Sequence, residues 1–288
     1  MTKKTSIHVQ SLKIPRFILL TSKLISLISP KLITLFAAKL FTTPIKYKVP
    51  KRELEMNHKS TQKLIVIPAI KKQIMVYNYG ESEKKILLVH GWSGRGTQLF
   101  KIADEFLKVG YSTISFDAPA HGKSPGKTTI MVDFIAAILE IDNQFGPFEA
   151  VIGHSLGGMS ILNAIKKGFK VNKAVVIGSG DIVQDIMDDF VAKLKLNPSI
   201  STRLRLHFER KYKEEMNTYS AFLAAKEISI PVLVIHDNND HEVPVTAGIN
   251  IHKHLKNGEL LLTDGLGHRK ILGNSKVIEK TVQFIQNK

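Results

Sequence analysis

The chain has 288 residues, 43% hydrophobic and 23% charged, enough apolar material for one large domain or two small ones, which excludes a disordered or fibrous polypeptide. It contains no cysteine, which removes disulfides, thiolate metal sites and a cysteine nucleophile and is compatible with a reducing cytoplasm. The formal charge of +16 is unevenly placed: residues 1–60 hold twelve Lys and Arg against Glu53 and Glu55, whereas residues 61–288 hold 29 against 23.

A nucleic-acid enzyme is expected to spread cations around its working groove, interleaved with aromatics. Here the excess belongs to an N-terminal extension, residues 1–60, so no nucleic-acid partner is expected. From Phe17 to Phe41 the chain is apolar but interrupted by Lys23, Lys31, Lys39 and Pro30, so no run reaches the ~18 residues of a spanning helix. The same lysines split the apolar region that a secretory signal requires, and the expected location is cytoplasmic. After Pro30, Lys31, Thr34 and Lys39 fall on one helical arc and Leu32, Ile33, Phe36, Leu40 and Phe41 on the other, an amphipathic helix over 31–41. Before Pro30 the split is poorer, because Leu19 and Thr21 fall on the wrong sides. Two readings follow for residues 13–41: a helix pair lying on an anionic membrane at the inner face of the cell, or a pair packed on the body or over its pocket. The second is preferred, since amphipathicity does not distinguish lipid from protein.

Residues 61–288 are expected to form the catalytic domain. Short β-branched runs alternate there with helix-period segments, a pattern that predicts a mainly parallel central sheet flanked by helices, an α/β fold. Strands are predicted at 64–70 and 73–79 as an antiparallel edge hairpin, then at 85–90, 111–116, 148–152, 173–177, 231–236 and 259–263. Helices are predicted near 97–109, 129–144, 156–168, 245–255 and 275–286. The interval between the strands ending at Ile177 and starting at Pro231 exceeds a simple crossover, so residues 181–228 are expected to form a small helical insertion. Ligands of such sheets bind outside the carboxyl ends of the strands.

Behind the strand ending at Ile152 stands Gly153-His154-Ser155-Leu156-Gly157, a G-x-S-x-G sequence leading directly into a helix. Side chains at 153 or 157 would clash across so tight a turn, which presents the Ser155 hydroxyl on an elbow with the helix N-terminus behind it. Serine at its ordinary pKa is a weak nucleophile and needs a base, itself oriented by an acid. Later strand ends offer both: Asp237 and Asp240 after the strand at 231–236, with Asp181 a remote third, and His268 after the strand at 259–263. The order Ser, Asp, His is the one found with elbow serines.

These residues resemble the α/β-hydrolase superfamily, in its serine esterase and lipase-like branch, over residues 62–288. Three further motifs carry the resemblance: His90-Gly91-Trp92, Asp117-Ala-Pro-Ala-His-Gly-Lys-Ser124 and Gly267-His268. The second departs from the family pattern at Ala120, where glycine is usual. The resemblance implies Ser155 as nucleophile, His268 as general base and then acid, and Asp240, three residues before Val243-Pro244, as the orienting acid. Asp237 then caps the strand end. Backbone N–H groups of Leu156 and Trp92 would form the oxyanion hole, being preorganised without a side-chain requirement.

The other histidines fit structural roles: His154 as a packed neighbour of the nucleophile, and His90 and His121 as loop anchors. His252 and His254, two apart on a helix, do not share a face. No metal or cofactor is expected. A serine elbow excludes the aspartate-nucleophile branches and leaves acyl transfer to water, with a carboxylic ester as the leading small-molecule substrate. The alternative is a ligand-binding or receptor protein on the same fold.

Overall fold

The computed structural model describes residues 14–287. Two short helices come first, α1 (Arg16–Ile28) and α2 (Pro30–Phe41), separated by Ser29. Pro30 ends α1 because proline offers no N–H and disfavours helix at the residue before it; the same ring suits the first turn of α2, whose N-terminus is capped by the Ser29 hydroxyl. An extended segment leads to α3 (Leu54–Lys59), and the sheet then begins with β1 (Thr61–Ile67) and β2 (Lys72–Tyr79).

The remaining elements alternate as β3 (Lys85–Val89), α4 (Phe100–Lys108), β4 (Ser112–Asp117), α5 (Met131–Phe145), β5 (Phe148–His154), α6 (Leu156–Lys166) and β6 (Val171–Ile177). Residues 181–228 hold α7 (Val183–Lys193), α8 (Ser199–Tyr212), a 3-10 turn at Met216–Tyr219 and α9 (Ala221–Ala225). The chain closes with β7 (Val232–Asp237), α10 (Val245–His254), β8 (Gly258–Thr263), the single turn α11 (Gly267–Lys270) and α12 (Ser275–Gln286).

The eight strands form one sheet in the order β1-β2-β4-β3-β5-β6-β7-β8. β1 and β2 form an antiparallel edge hairpin and β2 runs antiparallel to β4; every later pairing is parallel. This is the α/β-hydrolase fold. Strand alternation explains the two cores: in β3, Leu87 and Val89 join the core under α5, α6 and α2, whereas Ile86 and Leu88 join the one under α4 and α12. A strand buried on both faces therefore reads as an unbroken apolar run.

The N-terminal helices are docked on the body on one side only. Ile33, Ala37 and Ala38 of α2 are part of the larger core, and the Phe41 ring lies 5.1 Å from that of Phe190 in α7 and 5.7 Å from that of Phe208 in α8. In α1, Ile14 before its start, Ile18 and Ile25 pack against the same core. The sequence pattern before Pro30 looked poorly amphipathic because α1 has two apolar faces rather than one.

Candidate active site

The parallel strands end together, and their C-terminal turns bring the predicted residues to one edge of the sheet. β5 runs into α6 without a loop, and Ser155 takes up the whole reversal at φ 54°, ψ −120°. A non-glycine residue there is strained by roughly 1–3 kcal/mol, and the turn holds it by bonds on both sides. The Ser155 N–H donates to the Ile177 carbonyl at 2.9 Å, and the Ser179 hydroxyl donates to the Ser155 carbonyl at 3.1 Å. The elbow glycines leave no space: a Cβ on Gly153 would lie 2.7 Å from the backbone of Gly157 and Gly158, and one on Gly157 would strike the carbonyls of Val89 and His90.

The turn after β3 closes directly on the serine, since a Cβ on Gly91 would lie 2.9 Å from Ser155 Cβ. Two N–H groups are left over there. Leu156 opens α6, so its N–H has no partner within the helix, and the Trp92 N–H donates to no acceptor among the described residues. Buried histidines fix this turn. His121 Nε2 accepts from the Ser93 N–H at 2.9 Å, and His90 Nε2 accepts from the Ala118 N–H at 3.0 Å. Each therefore carries its proton on Nδ1, which faces the Pro119 and Gly91 carbonyls respectively. Burial drives the His121 pKa down to about 4, and that of His90 well below the ordinary histidine value, so both remain neutral anchors.

After β7 the two aspartates separate in role. Asp237 accepts from the N–H groups of Asn239, Leu266 and Gly267 and from the Thr263 hydroxyl, tying the β7 and β8 loops together. Asp240 Oδ2 instead lies 2.7 Å from His268 Nδ1, while its Oδ1 accepts from the N–H groups of Glu242 and Val243. Burial alone would raise the Asp240 carboxyl, but these bonds, led by the one from His268, outweigh it and hold the group below its ordinary value. An ionised Asp240 requires the proton on His268 Nδ1, which leaves Nε2 as a lone pair. Asp181 pairs with Asn250 instead, and His254 packs on the Phe222 ring.

His154 does more than fill space. Its Nε2 donates to the His268 carbonyl at 2.9 Å, and its ring lies 4.6 Å from the His268 ring, so it forms the wall behind that imidazole. Burial, followed by the neighbouring His268, lowers its pKa to about 3. The sequence carries no signal for this contact, because 114 residues separate the partners. Glu53 was also missed: buried, it accepts from Arg95 at 2.9 Å and from the Thr97 hydroxyl at 2.8 Å, just beyond the Trp92 turn. Its signal is its position as the first carboxylate after a wholly basic run.

Ser155 and His268 are not hydrogen-bonded to each other among the described residues; such contacts commonly tighten only once substrate is bound. A cleft of about 630 Å³, lined by Pro147, Phe148, Glu149 and Phe169 among others, lies at the opposite ends of β5 and β6 and contains none of these residues.

Comparison with known proteins gives a family and a fold. The model of the alpha/beta hydrolase family matches residues 86–227, and that of a TAP-like protein matches residues 211–287. No curated protein matches by sequence. Among solved structures, an esterase from Pyrococcus furiosus is similar at 19% identity and TM-score 0.64, covering 85% of this chain and 96% of its own. An esterase from Exiguobacterium antarcticum is similar at 17% identity and TM-score 0.62, covering 79% and 100%. A bromoperoxidase from Bacillus anthracis is similar at 17% identity and TM-score 0.60, covering 78% and 99%. Likeness at these identities is likeness of fold.

Proposed function

We propose that this chain, which belongs to the α/β-hydrolase superfamily, is a serine hydrolase that cleaves a carboxylic ester through an acyl-serine intermediate. The observation that carries the reading is the convergence on one sheet edge of a strained Ser155, two uncommitted N–H groups and an imidazole paired at 2.7 Å with a buried carboxylate.

In this reading Ser155 Oγ attacks the carbonyl carbon and its proton passes to His268 Nε2. Asp240 stabilises the resulting imidazolium through Nδ1 without taking the proton. The carbonyl π-electrons move onto oxygen, and that charge is received by the N–H groups of Trp92 and Leu156, with the N-terminus of α6 behind them. Collapse of the tetrahedral species expels the alkoxide, which leaves as an alcohol with the His268 proton. Water repeats the sequence on the acyl-serine, releasing the carboxylic acid and restoring Ser155. The esterases among the solved structures accord with this chemistry, and the bromoperoxidase on the same fold marks why the site rather than the fold must carry it.

The test is labelling with a fluorophosphonate, followed by turnover of p-nitrophenyl esters of increasing chain length. Labelling is expected at Ser155 and is expected to vanish in Ser155→Ala, with ester turnover lost in parallel. Labelling that survives in Ser155→Ala, or ester turnover indifferent to His268→Gln, overturns the reading.

A further inference from the structure

α1 has one apolar face too many. Its inner side, Ile18 and Ile25, is packed on the core, yet Phe17, Leu20, Leu24, Leu27 and Ile28 are 63–76% exposed. At about 100° per residue these five fall within an arc of about 100°, with Arg16 and Lys23 along one edge of it. Leu32 and Leu35 of α2 are also exposed, as are Lys31 and Lys39. From Ile14 to Arg52 the chain has eight cations and no carboxylate.

We propose that this outer face seats the protein on an anionic lipid surface. The apolar arc enters the boundary between headgroups and acyl chains, and Arg16, Lys23, Lys31 and Lys39 reach the anionic headgroups, their alkyl stems lying along the apolar surface. A second copy of the chain is a poorer occupant: a two-fold contact through this face would set cations against the same cations, with no carboxylate on either side. Spanning is excluded for these helices, since none among the described residues is long and apolar enough to cross a membrane.

The seat is tied to the candidate active site. Beyond α2 the Thr42 carbonyl accepts from the Thr129 N–H, the Ile45 N–H donates to Ser93 Oγ at 3.0 Å, and Lys46 Nζ donates to the Ser124 carbonyl at 2.6 Å. Ser93 directly follows Trp92, so the segment leading from the lipid-seated helices is bonded to the turn that carries the proposed oxyanion donor. The seat does not depend on the esterase reading, and its test reads binding rather than turnover.

The experiment is co-sedimentation of the full chain with vesicles of phosphatidylcholine alone and with about 30% phosphatidylglycerol. Binding is expected with the anionic vesicles and to fall steeply as salt rises from about 0.05 to about 0.5 M. Arg16→Gln with Lys23→Gln should weaken it about fivefold for each cation removed, and Leu20→Glu with Leu27→Glu at least about tenfold. Both variants should retain the circular dichroism of the parent, since these side chains face solvent. Equal binding to neutral and anionic vesicles, or none to either, overturns the proposal. So does a concentration-dependent dimer that Leu20→Glu with Leu27→Glu dissociates in the absence of vesicle binding; wild-type protein alone decides the lipid and salt arms if a variant fails to fold.

Discussion

At the scale of single residues, Asp237 and Asp240 are three apart and chemically identical, yet their surroundings assign them different tasks. Asp240 spends one oxygen on His268 and the other on two backbone N–H groups; Asp237 spends both on the loops around it. Asparagine at 240 keeps the shape but offers an amide N–H or a neutral oxygen to His268 Nδ1, so the imidazole loses its reason to hold the proton there. Asp240→Asn should lower kcat on a p-nitrophenyl ester by ~10³- to 10⁴-fold with KM nearly unchanged. Asp237→Asn breaks up to four bonds to a carboxylate and should cost about 2–3 kcal/mol in urea unfolding, with kcat kept within about tenfold. The opposite pattern would exchange the two roles. Ala120 illustrates the same dependence on surroundings: its φ of 66° lies in the left-handed region that favours glycine, and alanine brings the smallest side chain to that turn.

At the scale of elements, the two faces of the N-terminal helices differ in what they do for stability. Ile33 is 1% exposed in the main core, whereas Leu24 is 63% exposed. Truncating Ile33 to alanine removes buried methylenes and leaves a cavity, an expected loss of about 2–4 kcal/mol. Leu24→Ser should stay within about 0.5 kcal/mol by thermal or urea denaturation. Equal losses at both positions would mean that the outer face is covered by something within the chain. These helices also mark where sequence patterning fails. β3 and β7 were legible because burial on both faces leaves an unbroken apolar run, and the elbow was legible because its steric demand admits few residues besides glycine. α1 was not, because a helix with one apolar face on protein and another exposed has apolar residues nearly all round. The His154–His268 and Glu53–Arg95 contacts lay beyond reach for a different reason: they join segments far apart in the chain, and nothing local to either residue specifies its partner.

At the scale of the whole molecule, the site is built around histidines that must stay neutral, and this couples folding to pH. His90, His121, His154 and His236 are all depressed chiefly by burial, to about 4 for His121 and about 3 for His154. Unfolded, each titrates near 6.5, so below that value the unfolded chain binds protons that the native state refuses, and stability falls as pH falls. Each such proton contributes a slope of about 1.4 kcal/mol per pH unit. From about pH 7.5 to about pH 5, His121 and His154 alone should remove about 4 kcal/mol, a large share of the 5–15 kcal/mol typical of a folded domain. Asp117, which burial pushes up, acts in the other direction, and its opposing contribution begins as pH falls through its raised folded-state value. Urea midpoints measured across the window should therefore drop steadily toward acid. His154→Gln keeps an N–H donor for the His268 carbonyl but cannot titrate, and it should flatten the slope by about one proton. Midpoints that stay level from pH 7.5 to pH 5 would mean that these rings reach solvent protons without unfolding, and the turn they anchor would be looser than its hydrogen bonds imply.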